Sequence, residues 1–429
     1  MSDRAPSRLQ RRLQRFAAQR RALANAPSRP RYRYVRLRWR VLFAIVDAVG
    51  YACRWMVTRV LGAGPSGLAD PRRILVVQQD HLGDAILSTG LLRGLRHRYP
   101  AATIDVLASD ANRELFAACA EVDEVLTASV NRLSRGRRRG WIWSVWQWGL
   151  RLRRRQYDLA IDPRGEFSAA ALMWLSGTPR RLGWSSGGGG FLLTDVADYV
   201  LHRAEAASRQ ALLDRLGIAP PTGQAVWQPR VEPNFAARRW AEEKFPMLLD
   251  DRPLVVCHLG AGTAAKRWPA RHWQSLLCLL THDGQIEGRS ACRVVLIGTA
   301  EDRVNLPEAS PIEDFTGQLT FQQLAALLER ADLLIGADSG PAHLAAAVGT
   351  SVVVLFSGTN HASQWQPWGE RVTVVSQPVA CSPCHRQTCP LADHPCLAEL
   401  SPAAVRNAAE HALRPCRTNS ITFDQAACP

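Results

Sequence analysis

The turn Asp-Ser-Gly-Pro at residues 338–341 lies between an apolar run and a segment whose apolar residues have helical spacing. The run at residues 333–335 predicts a buried parallel strand, and the helical pattern continues to Val348, just before Gly349. The first amides of a helix have no partners within it, and the helix dipole is positive there. The turn therefore suits a bound phosphate, which His343 can also reach from one turn further along.

A Gly-Asp turn that ends in Asp84 follows a second apolar strand, predicted at residues 74–79. Open α/β sheets bind ligands at the carboxyl ends of their strands, so a carboxylate there could take a proton from a hydroxyl group. An aspartate in the first turn of a helix can equally serve as a cap, and Asp80 is as well placed as Asp84. The residues alone leave the base and the cap as equal interpretations.

A glycine-rich loop with two cations follows the strand predicted at residues 254–258. It contains Lys266, one of two lysines in a chain with fifty-one arginines. A compact ammonium group suits a leaving phosphate as a point charge, and such charge stabilisation can replace a metal ion. Thr263 could donate a hydrogen bond to the same phosphates. The alternative interpretation of Lys266 is a solvated loop residue.

The three segments at residues 74–84, 255–269 and 336–347 together resemble glycosyltransferase family 9, the ADP-heptose:lipopolysaccharide heptosyltransferases. The resemblance covers roughly residues 72–415. It implies an inverting glycosyltransferase that moves a heptose or a related sugar from a nucleotide-diphosphate donor, with ADP-heptose expected. The implied acceptor is a lipopolysaccharide-core or other lipid-linked saccharide, and no cofactor is expected.

The same resemblance implies roles for individual residues. It favours Asp84 over Asp80 as the base that activates the acceptor hydroxyl in a single displacement, and it assigns Lys266 as the diphosphate anchor. It places Glu301 at the nucleoside ribose, although a surface acid is the alternative, and Ser339 stands where the family usually has threonine. The donor-binding residues that it implies are Thr263, Lys266, Glu301, Asp338, Ser339, Gly340 and His343.

The formal net charge of +15 is concentrated in residues 1–40, which hold thirteen arginines and one acid. The rest of the chain carries only about +3, as expected of an ordinary enzyme, and no nucleic-acid recognition motif accompanies the arginines. We therefore expect no nucleic-acid partner.

The apolar part of residues 41–70 is interrupted by Asp47 and Arg54 and is too short to span a membrane. It predicts a helix in the interface of an anionic membrane, and the alternative is a helix packed on the catalytic body.

Two further segments each keep two equal interpretations. A basic stretch with four tryptophans at residues 132–155 predicts either a helix docked on the first domain or a contact with a membrane or lipid-linked acceptor. A cysteine cluster has the C-x2-C-x4-C-x6-C spacing of a zinc knuckle, so structural zinc and packed thiols are both open and no metal is assigned. Its members are Cys381, Cys384, Cys389 and Cys396.

The alternation of strands and helices predicts an α/β protein with two doubly wound, Rossmann-like domains, and the glycines of residues 185–190 predict a mobile loop. The resemblance adds that the domains face a cleft, as in the GT-B glycosyltransferase fold. The predicted organisation is a basic, disordered arm at 1–40, an amphipathic membrane-interface helix at 41–70, an N-terminal acceptor-binding domain at 71–218, a linker at 219–235, a C-terminal nucleotide-sugar-binding domain at 236–380, and a Cys-rich segment with a C-terminal helix at 381–429.

Two other classes of function compete with this one. A GT-B enzyme could use another nucleotide sugar, as an epimerase does, and a non-catalytic membrane-binding protein could share the fold. The presence of Asp84, Lys266 and Asp338 argues against the non-catalytic protein. The favoured enzyme is expected in the cytoplasm, peripheral on the inner face of the bacterial inner membrane. Its expected partners are a nucleotide-sugar donor, a lipid-linked saccharide acceptor and the anionic membrane surface.

Overall fold

The computed structural model describes Tyr32 and residues 37–61, 70–128, 141–246, 252–281, 291–303 and 311–414. The described residues form two six-stranded sheets, and the strands pair in parallel in both. Predictions for residues 1–31, 33–36, 62–69, 129–140 and 415–429 lie outside the described part of the chain.

The strands of the first sheet are continuous apolar runs in its centre. Residues 74–77 of the first strand are all buried, as expected when helices cover both faces of a parallel sheet. The strands are β1 (Arg73–Gln78), β2 (Thr103–Ala108), β3 (Glu124–Thr127), β4 (Leu159–Ile161), β5 (Arg180–Trp184) and β6 (Asp195–Ala197), in the spatial order β3-β2-β1-β4-β5-β6. The helices up to the end of this domain are α1 (Leu37–Leu61), α2 (Leu82–Arg98), α3 (Arg113–Ala117), α4 (Trp141–Arg153), α5 (Phe167–Leu175) and α6 (Glu205–Asp214).

The second sheet repeats the plan of the first. Its strands are β7 (Leu254–His258), β8 (Arg293–Ile297), β9 (Ile312–Asp314), β10 (Leu333–Ala337), β11 (Ser351–Phe356) and β12 (Val372–Ser376), in the spatial order β12-β11-β10-β7-β8-β9. Both orders are those of a doubly wound nucleotide-binding sheet, which confirms the two predicted Rossmann-like domains. The helices are α7 (Phe235–Lys244), α8 (Ala270–Thr281), α9 (Phe321–Arg330), α10 (Gly340–Val348), α11 (Ala362–Trp365), α12 (Pro395–Ala398) and α13 (Pro402–Leu413).

The strand register brings the loops with chemical groups to one edge of each sheet. Val76 of β1 pairs with Ile161 of β4, so the turns that follow these strands lie side by side. In the second sheet, Gly336 of β10 pairs with His258 of β7. The loops after β7 and β10 therefore meet at the carboxyl edge, where doubly wound sheets bind their ligands.

The segment between the domains at residues 219–234 packs along α2. The carbonyl of Trp227 lies so close to Gly90 of α2 that any side chain at Gly90 would collide with it. The N–H of Val231 donates a hydrogen bond to the carbonyl of Ala347 in α10 at 3.2 Å. The segment is therefore held by both domains.

The glycine-rich loop at residues 185–190 is folded into two 3₁₀ turns and is largely buried beneath α1. The N–H of Gly189 donates to Oδ1 of the buried Asp47 at 2.7 Å, and the ring of Phe43 lies against Gly188. The structure therefore contradicts the predicted mobile loop. The missing side chains make room for aromatic rings of α1 and do not leave the backbone free.

The helix α1 begins at Leu37, within the stretch predicted as a disordered arm. One of its faces packs on the first domain, where Asp47 also accepts a hydrogen bond from Tyr32 Oη at 2.8 Å. Its opposite face carries exposed apolar side chains, Val41, Ile45 and Val49 among them. Within the described residues, no helix has the length and apolarity needed to cross a membrane.

Candidate active site

Asp84 lies in the first turn of α2, and its carboxylate is buried. Its Oδ1 accepts a hydrogen bond from Arg209 Nη2 of α6 at 3.1 Å, and its Oδ2 accepts one from Arg164 Nη1 at 3.2 Å. Burial raises the pKa of Asp84 above its ordinary value, and the charge of Arg209 opposes that rise. Both oxygens thus face guanidinium groups, and the N-cap position of α2 is occupied by His81.

Asp80, the rival base, belongs to the same cluster of charges. It forms an ion pair with Arg164, whose Nε is also 3.4 Å from Glu166 Oε1. Asp162 at the end of β4 fixes this turn, because its carboxylate accepts hydrogen bonds from the N–H groups of Arg164 and Glu166 at 2.9 and 2.8 Å. Burial raises the pKa of Asp162 to about 6. Arg164 thus links Asp80 to Asp84.

Lys266 ends the 3₁₀ turn that follows β7 and pairs with the turn before α10. Its ammonium nitrogen is 2.5 Å from Asp338 Oδ2 and 3.3 Å from the carbonyl oxygen of Asp338. Asp338 is buried, whereas Lys266 is about one-fifth exposed. The structure therefore brings together two of the predicted donor-binding residues, and it contradicts the interpretation of Lys266 as a solvated loop residue.

The turn before α10 also orients two buried histidines. Ser339 Oγ is 3.1 Å from Nδ1 of His258, and His343 Nε2 is 4.0 Å from Asp338 Oδ1. Burial lowers the pKa of each histidine to about 4, so both rings are neutral near pH 7. His343 can therefore meet an anion with a neutral N–H group but not with a full charge.

Thr263 and Glu301 lie on the outer parts of their loops. Thr263 is partly exposed, and its carbonyl accepts a hydrogen bond from the N–H of Lys266 at 3.0 Å. Glu301 is exposed in the 3₁₀ turn after β8, where its neighbour Asp302 forms a capping box with Thr299. Both predicted donor-binding side chains are thus accessible to a ligand at the carboxyl edge of the second sheet.

Two glycines let the first turns of α2 and α10 approach each other across the domains. A Cβ atom on Gly83 would lie 2.9 Å from Cδ2 of His343, and one on Gly340 would lie 2.9 Å from Cδ2 of Leu82. Such contacts are too close for an ordinary side chain. Asp84, which follows Gly83 in α2, therefore faces the same cleft as the turn that begins α10.

The Cys-rich segment supports the loop that carries Lys266. The N–H of Ala265 donates to the carbonyl of Gln387 at 2.9 Å, and His394 Nε2 is 3.2 Å from the carbonyl of Ala265. The cysteines of the described residues are free thiols. In the same part of the chain, no group of three or more His, Cys, Asp or Glu residues is placed to hold a metal ion. The contacts therefore give this segment a supporting role at the donor loop.

The sequence patterns do not single out several residues of this site. Asp162, Arg164 and Glu166 follow the carboxyl end of β4, and that position is a usable signal. The others lie within helices or a strand and contact the site only through the tertiary fold. These residues are Glu205, Arg209, His258 and Gln364.

Two Rossmann-like domains, with a buried carboxylate at the carboxyl edge of one sheet and a lysine–aspartate pair at that of the other, form the architecture typical of proteins that bind nucleotide-bearing ligands. The comparisons with known proteins identify the family of this chain. The model of glycosyltransferase family 9 (heptosyltransferase) matches residues 145–394, which is more than half of the chain. The chain therefore belongs to glycosyltransferase family 9 and is a glycosyltransferase.

Curated relatives and solved structures agree with this family. Lipopolysaccharide heptosyltransferase 2 of Escherichia coli strain K12 is 28% identical over 301 residues, which are 66% of this chain and 82% of that protein. Lipooligosaccharide heptosyltransferase 2 of Haemophilus ducreyi is 28% identical over 326 residues, which are 71% of this chain and 88% of that protein. The structure of E. coli ADP-heptose LPS heptosyltransferase II matches with a TM-score of 0.63 at 24% sequence identity. The match covers 80% of this chain and 98% of the E. coli chain. The glycosyl transferase family 9 structure from Veillonella parvula matches with a TM-score of 0.65 at 21% sequence identity, over 82% of this chain and 99% of that chain.

Proposed function

We propose that this glycosyltransferase moves a heptose, or a closely related sugar, from ADP-heptose to a lipopolysaccharide-core or other lipid-linked saccharide, with inversion in one displacement. The observation that carries the proposal is the placement of the buried carboxylate of Asp84 opposite the donor-binding turn of the second domain. The relatives, which are named as lipopolysaccharide and lipooligosaccharide heptosyltransferases, support the choice of sugar and acceptor.

In this mechanism Asp84 takes the proton of the acceptor hydroxyl as the oxygen attacks the anomeric carbon. A raised pKa strengthens a carboxylate as a base, and an effective base has a pKa that approaches the working pH. Each carboxylate oxygen already accepts a hydrogen bond from an arginine but has a second lone pair for the hydroxyl. The two arginines therefore fix the carboxylate without occupying all of its acceptor capacity.

Lys266 would stabilise the diphosphate that leaves. Its ammonium group is already oriented by Asp338, which as an anion would itself repel a phosphate. We therefore assign the diphosphate to Lys266, and to Asp338 the tasks of holding Lys266 and accepting hydrogen bonds from sugar hydroxyls. The neutral ring of His343 and the hydroxyl of Ser339 lie next to Asp338 and would add uncharged hydrogen bonds.

Donor and acceptor are tested in two steps with the full-length protein. ADP-heptose is expected to raise the melting temperature more than ADP-glucose or UDP-N-acetylglucosamine does, because a ligand that binds only the native state stabilises it. Incubation with a lipopolysaccharide acceptor that lacks heptose should then give a product heavier by one heptose in mass spectrometry. Donor turnover without any acceptor would support an epimerase or hydrolase and contradict the proposed transfer.

We also propose that the enzyme lies on an anionic membrane surface at the cytoplasmic face. The support is the exposed apolar and aromatic side chains that α1 and α4 each carry, and in α4 the exposed Trp143 and Trp146 stack with ring centroids 4.7 Å apart. Arginine side chains lie over tryptophan rings of both helices, as Arg59 does over Trp55 at 4.6 Å. Tryptophan beside arginine is typical of helices at a membrane interface.

Vesicle sedimentation tests this surface. The wild-type protein should sediment with vesicles that contain phosphatidylglycerol and should be partly released by high salt, which screens exposed charges. The double variant Trp143→Ser/Trp146→Ser should sediment less, whereas Phe235→Ser, which changes an exposed aromatic residue of the other domain, should behave as wild type. Equal sedimentation of the double variant and the wild type would contradict a role for α4 in this contact.

A further inference from the structure

Arg209 is a fully enclosed guanidinium group between two acidic side chains. It is 2% exposed, and it contacts Asp84 Oδ1 through Nη2 and the carboxylate of Glu205 through Nη1. Glu205 lies one turn earlier in α6, and it is buried as well. A buried arginine is costly unless its charge is paired, so the position of Arg209 is determined by these two carboxylates.

Glu205 connects Arg209 to the second domain. Its Oε1 accepts a hydrogen bond from Nε2 of Gln364 in α11 at 2.9 Å and another from Tyr199 Oη at 3.0 Å. Gln364 Nε2 is also 3.0 Å from Tyr199 Oη, so the buried Glu205 and Gln364 and the partly buried Tyr199 form one network. Glu205 and Gln364 are separated by 159 residues in the chain. Glu205 belongs to the first domain and Gln364 to the second, so this hydrogen bond exists only when the two domains lie together.

From these contacts we infer that Arg209 is a positioning residue for Asp84, and that Gln364 of the second domain holds Arg209 in place through Glu205. The inference rests on the proposed function, in which Asp84 is the base. A planar guanidinium with a fixed fork restrains a carboxylate more tightly than a flexible ammonium does. A base that is misplaced by about 1 Å can lose about a hundredfold in rate, so the orientation of Asp84 has a measurable effect.

The arrangement ties the base to domain approach. When Gln364 binds Glu205, the carboxylate of Glu205 is fixed, and Arg209 is aimed at Asp84. When the domains separate, Glu205 loses the amide donor of Gln364, and Arg209 can follow Glu205 away from Asp84. The carboxylate of Asp84 is therefore held by both Arg164 and Arg209 in the closed cleft, where donor and acceptor are together and water is reduced.

Several charged or titratable groups surround Asp84 and enter any pH measurement. Arg209 and Glu205 face it from α6, and Arg164 faces it from the turn after β4. His81 acts from the start of α2, and Asp80 and Glu166 act through their ion pairs with Arg164. His343 approaches this turn from α10 but is neutral near pH 7. Among the groups that lower the pKa of Asp84, the charge of Arg209 has the largest effect.

The test measures kcat against pH, together with donor affinity, for two substitutions of Arg209. Arg209→Met removes the charge, so the pKa of Asp84 should rise, and the acid limb of the kcat profile should move up by about one pH unit. Arg209→Lys keeps the charge but not the fork, so kcat should fall about tenfold while the limb stays within a few tenths of a unit. Donor affinity should change by less than about threefold in both variants, because Arg209 does not touch the donor.

Gln364→Leu tests the link between the domains and does not depend on the Arg209 variants folding. It should lower kcat about tenfold with donor affinity unchanged, because Arg209 is then held by Glu205 alone. Gln210→Met is the matched control, because Gln210 is the next residue of α6 and is buried but bonds to Asp214, Ile218 and Trp227, and these bonds include neither Asp84 nor Glu205. It can lower the melting temperature but should leave the kcat profile unchanged. A wild-type kcat in Gln364→Leu would overturn the link to the second domain.

The proposed function and this inference fail in different ways. If Asp84→Asn transfers sugar at nearly the wild-type rate, the base assignment itself is wrong. If Asp84→Asn is inactive but folded Arg209→Met keeps the wild-type kcat and acid limb, only the positioning role is overturned. Loss of stability alone, with an unmoved acid limb, would make Arg209 a structural residue and would also overturn the inference.

Discussion

Asp84 is the residue at which burial and charge act against each other. Burial raises the pKa of its carboxyl group, and Arg209, closely paired with it, restrains that rise. A carboxylate with a raised pKa is a stronger base than an exposed aspartate. At the scale of single residues, the site thus consists of a buried carboxylate in one domain and a cation, Lys266, in the other.

Lys266→Ala should weaken donor binding and should lower kcat more strongly, by about a hundredfold, because the charge on the leaving diphosphate grows in the transition state. Lys266→Arg should restore only part of the rate, since the larger fork places its charge differently. Steady-state kinetics and donor titration measure both effects. Lys244→Ala, which changes the only other lysine, is the control, and unchanged kinetics in Lys266→Ala would rule out Lys266 as the anchor.

The depressed pKa of His343 predicts a loss of stability in acid. Its folded pKa is about 4 and its unfolded value is about 6.5, so the unfolded chain binds the proton first, and stability falls as the pH drops between these values. Between pH 7 and pH 4.5, the free energy of unfolding should therefore fall in both proteins, and the fall should be smaller by about 2–3 kcal/mol in His343→Gln than in wild type. Denaturant unfolding at both pH values measures the difference. An equal loss in the two proteins would show that the ring is not held neutral by burial.

At the scale of elements, the cleft depends on how closely α2 and α10 approach each other. Each helix has a glycine in its first turn, and each glycine faces a side chain of the other domain. The helix α1 uses the same principle on the outside of the first domain, where Phe43 lies against Gly188. Glycines at both places serve close packing between elements that are distant in sequence.

Gly83→Ala should separate the two domains slightly, because its Cβ would meet the ring of His343 at 2.9 Å. We expect kcat to fall between about tenfold and a hundredfold from misplacement of the reacting groups, with a smaller change in unfolding free energy. Gly369→Ala is the control, since its nearest neighbour would be at an ordinary 3.5 Å. Wild-type kinetics in Gly83→Ala would mean that this approach is not needed for transfer.

Asp47 holds α1 on the first domain, and its removal should detach that helix. Asp47→Ala would leave the N–H of Gly189 without this acceptor, which costs about 1–3 kcal/mol for a buried group, and would remove the Asp47 hydrogen bond of Tyr32, whose hydroxyl also donates to the carbonyl of Phe43 at 3.2 Å. Limited proteolysis should then cleave α1 from the body faster than in wild type. Val49→Ala, an exposed change on the same helix, is the control, and equal cleavage rates in Asp47→Ala and wild type would contradict this role.

At the scale of the whole molecule, the sequence predicted the two parallel sheets but not all of their strands. The bounds of β7 agree with the strand predicted at residues 254–258, because its apolar run ends at a glycine-rich loop. The edge region was missed: β5 begins with two arginines and β9 contains two acids, so neither looks like a buried strand. Arg181 of β5 lies there because its side chain bonds the carbonyl of Leu192, a contact without a local sequence pattern.

The residues of the candidate site also fall into those that the sequence predicts and those that only the structure reveals. Asp84, Lys266 and Asp338 follow the carboxyl ends of strands, where their residue types carry information about chemistry. Arg209 lies 125 residues from Asp84 in the sequence, within the helix α6. No spacing pattern in the sequence therefore predicts that the two side chains are in contact. Sequence patterns therefore locate groups in loops at the sheet edge, whereas the helix side chains that orient those groups are visible only in the folded chain.

The central claim is that Asp84 acts as the base in transfer from a nucleotide sugar, and Asp84→Asn tests it most directly. Asparagine keeps the shape and the helix-capping ability of aspartate but cannot take a proton. With donor affinity and transfer rate measured on one preparation, we expect nearly normal binding of ADP-heptose and a loss of transfer of roughly 10²–10⁴-fold. Nearly normal transfer by Asp84→Asn would contradict the account and would make Asp80 the residue to test.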